Sequence, residues 1–215
     1  MQFQLNHIVP TPLKDIFSQR QSDIWNKDIT FFKEEYIKIK APSGTGKTTF
    51  IHILYKLRHD FEGHVLYDSI NIADIQKDEL AIIRQQKISI IFQDLRLFPN
   101  LTAAENIELK RVMQTPIYEK NIIHEMAEKL GIVHILKQKA GLCSYGEQQR
   151  IAIIRALVQP FDWLLMDEPF SHLDEQNTHK AALLIAEECA KRKAGFIITD
   201  LDEDNHFNYT KKLLL

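Results

Sequence analysis

The chain has 215 residues, 45% hydrophobic and 26% charged, which suits one large globular domain or a core with a small insertion. A formal net charge of −2 offers no basic track for nucleic acid, and two cysteines, Cys143 and Cys189, are too few for a disulfide framework, so free thiols in a reducing cytoplasm are expected. The sequence has no signal-peptide pattern at MQFQLNHIVPTPLKD and no apolar run of about 18 residues, so any membrane role is expected to come through a partner.

In chain order, residues 35–40 (EYIKIK) alternate apolar and polar and predict a strand. Residues 41–47 (APSGTGK) read as a loop, and 48–58 have apolar residues at helical spacing. Residues 87–92 (KISIIF) are a short β-branched run, a further strand. Residues 103–113 and 118–139 are helical by pattern, with a break at Thr115-Pro116. A helix follows over 146–158, then a short apolar strand at 162–166 that ends at acids. Residues 178–193 predict a helix with Gly195 as its C-cap, and 196–199 (FIIT) a buried strand. Strands alternating with helices predict an α/β fold with a mostly parallel sheet. The helical stretch near 100–145 interrupts that alternation and reads as an inserted subdomain.

The run from Ala41 through Ser43, Gly44, Thr45, Gly46, Lys47, Thr48 and Thr49 follows a strand and opens a helix, the context of a phosphate-binding loop. Backbone N–H groups of such a loop converge on phosphate oxygens. Lys47 would reach the β- and γ-phosphates, and the Thr48 hydroxyl would face Mg²⁺. The motif's first glycine is replaced by Ala41, which lacks glycine's freedom at positive φ and could alter the strand exit. A plain turn before an amphipathic helix is the alternative. Downstream, the strand Trp163–Met166 delivers Asp167 and Glu168 to its C-terminal end, where ligands bind in open α/β sheets. Asp167 would hold Mg²⁺, directly or through water, and Glu168 would act as general base on the attacking water.

Between these motifs lies Cys143-Ser144-Tyr145-Gly146-Glu147-Gln148-Gln149-Arg150, and Ser171-His172-Leu173-Asp174 follows the acids. With Ile91-Phe92-Gln93-Asp94 upstream, the ordered set resembles the ATP-binding cassette (ABC) ATPase family over about residues 24–200. The resemblance implies a P-loop core with an N-terminal antiparallel β part and an inserted helical subdomain. It divides the single domain 1–215 into a nucleotide core, 1–95 and 146–215, and a helical subdomain, 96–145. It implies ATP and Mg²⁺ as ligands, with Gln93 touching the metal and the attacking water. It also implies a head-to-tail dimer, either a homodimer or a pair of related ATPase subunits. In it Ser144, Tyr145, Gly146 and Glu147 would face a nucleotide on the partner's phosphate loop. The expected role is an ATP-hydrolysing transporter subunit that is cytoplasmic and peripheral to the inner membrane through an integral permease, with no nucleic-acid partner.

Several positions depart from the family pattern. Tyr145 replaces the first signature glycine, Glu147 a glutamine and Cys143 a leucine. Asp200 takes the place of the switch histidine, and a carboxylate would repel a γ-phosphate at neutral pH. An ATP-gated clamp with weak turnover is therefore the alternative function. His206 lies nearby in sequence, and Phe17 is the candidate to stack on adenine. Leu97, Phe98 and Leu101, after the glutamine, either face the permease or pack inside the helical part. The wording FQDLRLFPNLT is most similar to ATPases of the lipoprotein-release and cell-division branch.

Overall fold

The computed structural model describes residues 1–14 and 21–215, so Phe17 lies outside the described residues. The chain begins with β1 (Phe3–Pro10), β2 (Asp28–Phe31) and β3 (Tyr36–Lys40), then the loop that opens α1 (Lys47–Leu54). Next come β4 (Phe61–Tyr67), β5 (Ile70–Asn71), α2 (Lys77–Gln86) and β6 (Ile88–Ile91). The helical stretch holds α3 (Ala103–Val112) and α4 (Asn121–Lys129) and leads to α5 (Tyr145–Leu157). The chain closes with β7 (Trp163–Asp167), α6 (Glu175–Arg192), β8 (Gly195–Asp200) and β9 (Lys211–Leu214).

Two sheets result. Antiparallel strands run in the order β2-β1-β4-β5, and parallel strands in the order β6-β7-β8-β3-β9. Every residue of β6 and β7 is buried, as expected for parallel strands covered on both faces. Alternation along the strands feeds two cores. Ile37, Ile39, Leu165 and Ile197 pack with α1 and with Phe3, Phe31 and Val65 of the antiparallel sheet. Leu164, Met166, Phe196 and Ile198, on the other face, pack with α5 and α6 and with Ile107 and Met126 of α3 and α4. The helical stretch thus shares its core with the sheet.

Three sequence expectations are corrected. The helix expected over 118–139 ends at Lys129, because Gly131 turns left-handed (φ 69°), and 3₁₀ turns follow at Val133–Ile135 and Ala140–Leu142. Gly195 does not cap α6: Lys193 takes the left-handed cap at φ 50°. Gly195 instead starts β8, where a Cβ would lie 2.8 Å from the Glu35 carbonyl and 2.9 Å from the Trp163 ring. The helix expected over 48–58 stops at Leu54, and the chain turns into β4.

Candidate functional site

The loop between β3 and α1 lines a cleft of about 320 Å³ with Gln93 and Glu168. Gly44 and Gly46 both have positive φ, 77° and 100°, which glycine adopts without penalty. At Gly46 there is a further demand, since a Cβ would come within 2.9 Å of Leu13 and 3.3 Å of Trp25. Ala41 is absent from the positive-φ positions, and its N–H continues the strand ladder to the Asp200 carbonyl at 3.0 Å. Alanine therefore fits where the motif has glycine. Ser43, Gly44, Gly46, Lys47, Thr48 and Thr49 line the cleft. Thr45 is buried, and its hydroxyl donates to the Pro42 carbonyl at 2.7 Å to brace the loop.

Lys47 is buried and turned onto its own loop. Its ammonium donates to the carbonyls of Ala41 (3.0 Å) and Pro42 (3.3 Å) and pairs with Glu168 at 3.2 Å. Gln93 joins the circuit: its amide donates to Glu168 at 3.2 Å, and its oxygen accepts from the Thr48 hydroxyl at 3.3 Å. Lys47, Glu168, Gln93 and Thr48, read separately from sequence, thus meet in one run of polar contacts, made a ring by the peptide bond between Lys47 and Thr48. Glu168 reaches it through a left-handed backbone (φ 47°), a sparsely populated state for a non-glycine residue. Its N–H bonds the Thr199 carbonyl at 3.0 Å, and its carbonyl accepts from Gln149 at 3.2 Å.

Asp167 sits behind this ring, 1% exposed. One carboxylate oxygen accepts from the Thr199 hydroxyl at 2.9 Å, and the other has no partner among the described residues. An orphaned buried carboxylate oxygen is costly unless something supplies a charge. This oxygen, the Thr48 hydroxyl and the Gln93 amide oxygen are all hard donors, the chemistry that Mg²⁺ takes together with phosphate oxygens and water.

At the start of α5, Ser144 and Tyr145 are exposed and Gly146 and Glu147 half-buried, and none of the four lines this cleft. Ser144 caps the helix: its hydroxyl accepts from Glu147 N–H at 3.4 Å, while the Glu147 carboxylate accepts from Ser144 N–H at 2.8 Å. That backbone hydrogen bond, with the one from the Ser144 hydroxyl, holds the Glu147 carboxyl below the usual range. Tyr145 is 68% exposed, its ring 5.0 Å from that of His172. A Cβ at Gly146 would meet the His172 carbonyl at 2.9 Å.

Sequence reasoning missed Gln149, Leu13 and Trp25. Buried Gln149 accepts from the His172 N–H at 2.9 Å while donating to the Glu168 carbonyl, so it ties the signature helix to the acid turn and the segment after it. The only sequence signal was its place among the signature's glutamines. Leu13 and Trp25 press on the phosphate loop, and Trp25 meets Phe50 edge-on at 5.7 Å. Asp200 does not line the cleft: its carboxylate pairs with buried Lys38 at 3.3 Å. His206 is exposed and rests edge-on against Phe170 at 5.6 Å. Phe98 is 58% exposed, whereas Leu97 packs on the helical core and Leu101 is half-buried.

A glycine loop opening a helix after β3, a buried acid at the end of β7, one strand removed in the same sheet, and an inserted helical layer define a P-loop nucleotide-binding fold of the ABC type. The ABC transporter family model matches residues 25–171, and this chain belongs to that family. It is 34% identical over 143 residues to the macrolide export ATP-binding/permease protein MacB of Bdellovibrio bacteriovorus, covering 66% of this chain and 22% of that protein. To the cell division ATP-binding protein FtsE of Bacillus subtilis it is 33% identical over 148 residues, 68% of this chain and 64% of that one. The chain thus spans less than two thirds of either relative. A dimeric post-hydrolysis ATP-binding cassette bound to ADP and Pi superposes with a TM-score of 0.77 at 28% identity, covering 92% of this chain and 87% of that one.

Proposed function

We propose that the chain binds and hydrolyses ATP as the motor subunit of an ABC transporter, with two copies, or one copy and a related subunit, closing on MgATP to drive a membrane permease. The observation that carries this reading is the linkage of Lys47, Thr48, Gln93 and Glu168 at one cleft, with an unpartnered oxygen on the buried Asp167 next in sequence to Glu168. In it Lys47 exchanges its loop carbonyls and Glu168 for the β- and γ-phosphate oxygens. Thr48, Gln93 and Asp167 hold Mg²⁺, which supplies charge neutralisation at the phosphates. Glu168, released from Lys47, orients a water and takes its proton. Hydroxyl donation across the dimer falls to Ser144, which with Tyr145, Gly146 and Glu147 presents an exposed helix start to the partner's nucleotide.

The permease is assigned to the surface after Gln93, where exposed Phe98 borders a hollow of about 170 Å³ with Phe92, Leu109 and Met113. Residues 96–145 serve as the helical subdomain facing it, on the cytoplasmic side of the inner membrane. The FQDLRLFPNLT wording supports kinship with the lipoprotein-release and cell-division ATPases.

A second reading, an ATP-gated clamp with weak turnover, is favoured by Asp200: the strand end supplies a carboxylate held by Lys38 in place of a histidine donor. Steady-state phosphate release separates the two. A rate well above that of Lys47→Ala supports the motor reading, and a rate equal to that variant's, with MgATP binding intact, supports the clamp.

A further inference from the structure

Lys38 occupies a polar position of an alternating strand, yet it is buried. It lies in β3, between β8 and β9, with its side chain 2% exposed. A buried ammonium is strongly destabilising unless paired and hydrogen-bonded. Lys38 meets two carboxylates, Asp200 at 3.3 Å and Asp204 in close contact. Asp204 also accepts from the Tyr209 phenol, whose ring centre lies 6.0 Å from the ammonium. Burial alone would raise Asp204, but hydrogen bonds from Lys38 and Tyr209 outweigh it and hold the carboxyl below its usual range.

Register explains the direction of Asp200. Lys38 pairs with Ile198 and Lys40 with Asp200, so Lys38 and Asp200 share one sheet face. Thr199 projects to the other face, where it meets Asp167. The Asp200 backbone nonetheless borders the site. Its carbonyl accepts from Ala41 N–H at 3.0 Å, and the preceding carbonyl, of Thr199, accepts from Glu168 N–H at 3.0 Å. A carboxylate released at that point would oppose a triphosphate.

We propose that Lys38 is a positioning residue: its buried ammonium, shared with Asp204, neutralises and anchors the Asp200 carboxylate that the pleat directs to the far face of the sheet, so that a strand end carrying an acid still admits MgATP. The inference rests on the ATP-binding reading above.

The test compares the wild-type chain with two variants by calorimetric titration, using Mg²⁺ with the non-hydrolysed β,γ-imido analogue of ATP and, separately, MgADP. Lys38→Met with Asp204→Asn removes the buried pair together and leaves Asp200 charged. The analogue should bind about tenfold more weakly and MgADP less than about threefold more weakly, because the charge acts on the terminal phosphate. Adding Asp200→Asn should restore the analogue to within about twofold of wild type, a rescue that a merely structural lysine would not give. Unchanged analogue affinity in the first variant, equal weakening of both nucleotides, or no recovery in the second overturns the proposal. If the first variant does not fold, Asp200→Asn alone decides. An affinity for the analogue within about twofold of wild type supports a neutralised Asp200, and a gain of about tenfold overturns it. A wild-type chain that binds neither nucleotide would instead overturn the ATP-binding reading.

Discussion

Lys47 and Glu168 restrain each other in the structure, the ammonium pairing with the carboxylate at 3.2 Å while also bonding two loop carbonyls. Phosphate oxygens must displace those partners. Lys47→Ala should therefore weaken MgATP binding by about 10- to 100-fold, the worth of charge-assisted hydrogen bonds, read by titration. On the proposed reading Glu168→Gln removes the general base, and it also loosens Lys47. Turnover should drop by about 10²- to 10⁴-fold while MgATP affinity holds or tightens, checked by phosphate release alongside binding. These residues were legible because each belongs to a short motif whose spacing is local. Lys38 was not: its importance comes from Asp200 and Asp204, which only the pairing of β3 with β8 brings to it. Ala41 posed the opposite problem, since the sequence showed a missing glycine but could not show that φ there is not left-handed.

Helix ends carry much of the element-scale specification. α3 starts in a capping box, the Thr102 hydroxyl accepting from Glu105 N–H at 3.2 Å and Glu105 accepting from Thr102 N–H at 2.7 Å. Thr102→Ala should cost about 1 kcal/mol, seen as a lower melting temperature with little change in nucleotide affinity. In α6, Glu188 is buried and takes hydrogen bonds from Lys191 at 2.8 Å and from the Tyr118 phenol at 2.5 Å, with Arg192 at 2.8 Å. Burial would raise its carboxyl, yet the Lys191 and Tyr118 hydrogen bonds and the Arg192 charge hold it below the usual value. A depressed folded-state value contributes stability above the unfolded pKa of about 4.3 and loses it as pH falls through the lower folded value. Acid melts should therefore lose stability below about pH 4, and Glu188→Gln should flatten that part of the curve. The central strands were readable as short apolar runs, because burial on both faces leaves that pattern. β4 and β9 were not, since β4 mixes exposed polar residues with buried ones and β9 alternates half-buried and exposed residues. The strands they pair with over most of their length, β1 for β4 and β3 for β9, lie far away in sequence. The end of α4 was legible in principle, as Gly131 directly follows its cap residue Leu130.

Across the whole molecule, two cores back the two faces of one parallel sheet, and the site lies at the carboxyl ends of β3 and β7 with Gln93 following β6. Gln149 links that edge to the signature helix from within a single chain, through its hydrogen bonds to the Glu168 carbonyl and the His172 N–H. Gln149→Ala should cost about 1–3 kcal/mol by leaving buried polar groups unsatisfied, measured by denaturant unfolding. The phosphate loop and the signature were both legible from motif order, and the family resemblance already implied that they face each other across two subunits. The phosphate loop lines a cleft, whereas Ser144 and Tyr145 sit exposed outside it, an arrangement that supports the proposed sharing of a nucleotide between two chains.

The most direct test is the mass of Glu168→Gln protein by light scattering, with and without saturating MgATP. The account predicts a monomer that becomes a stable dimer when nucleotide is added and reverts when Ser144 is also replaced by a bulky Arg. A protein shown by titration to hold MgATP, yet monomeric at every nucleotide concentration, would contradict it.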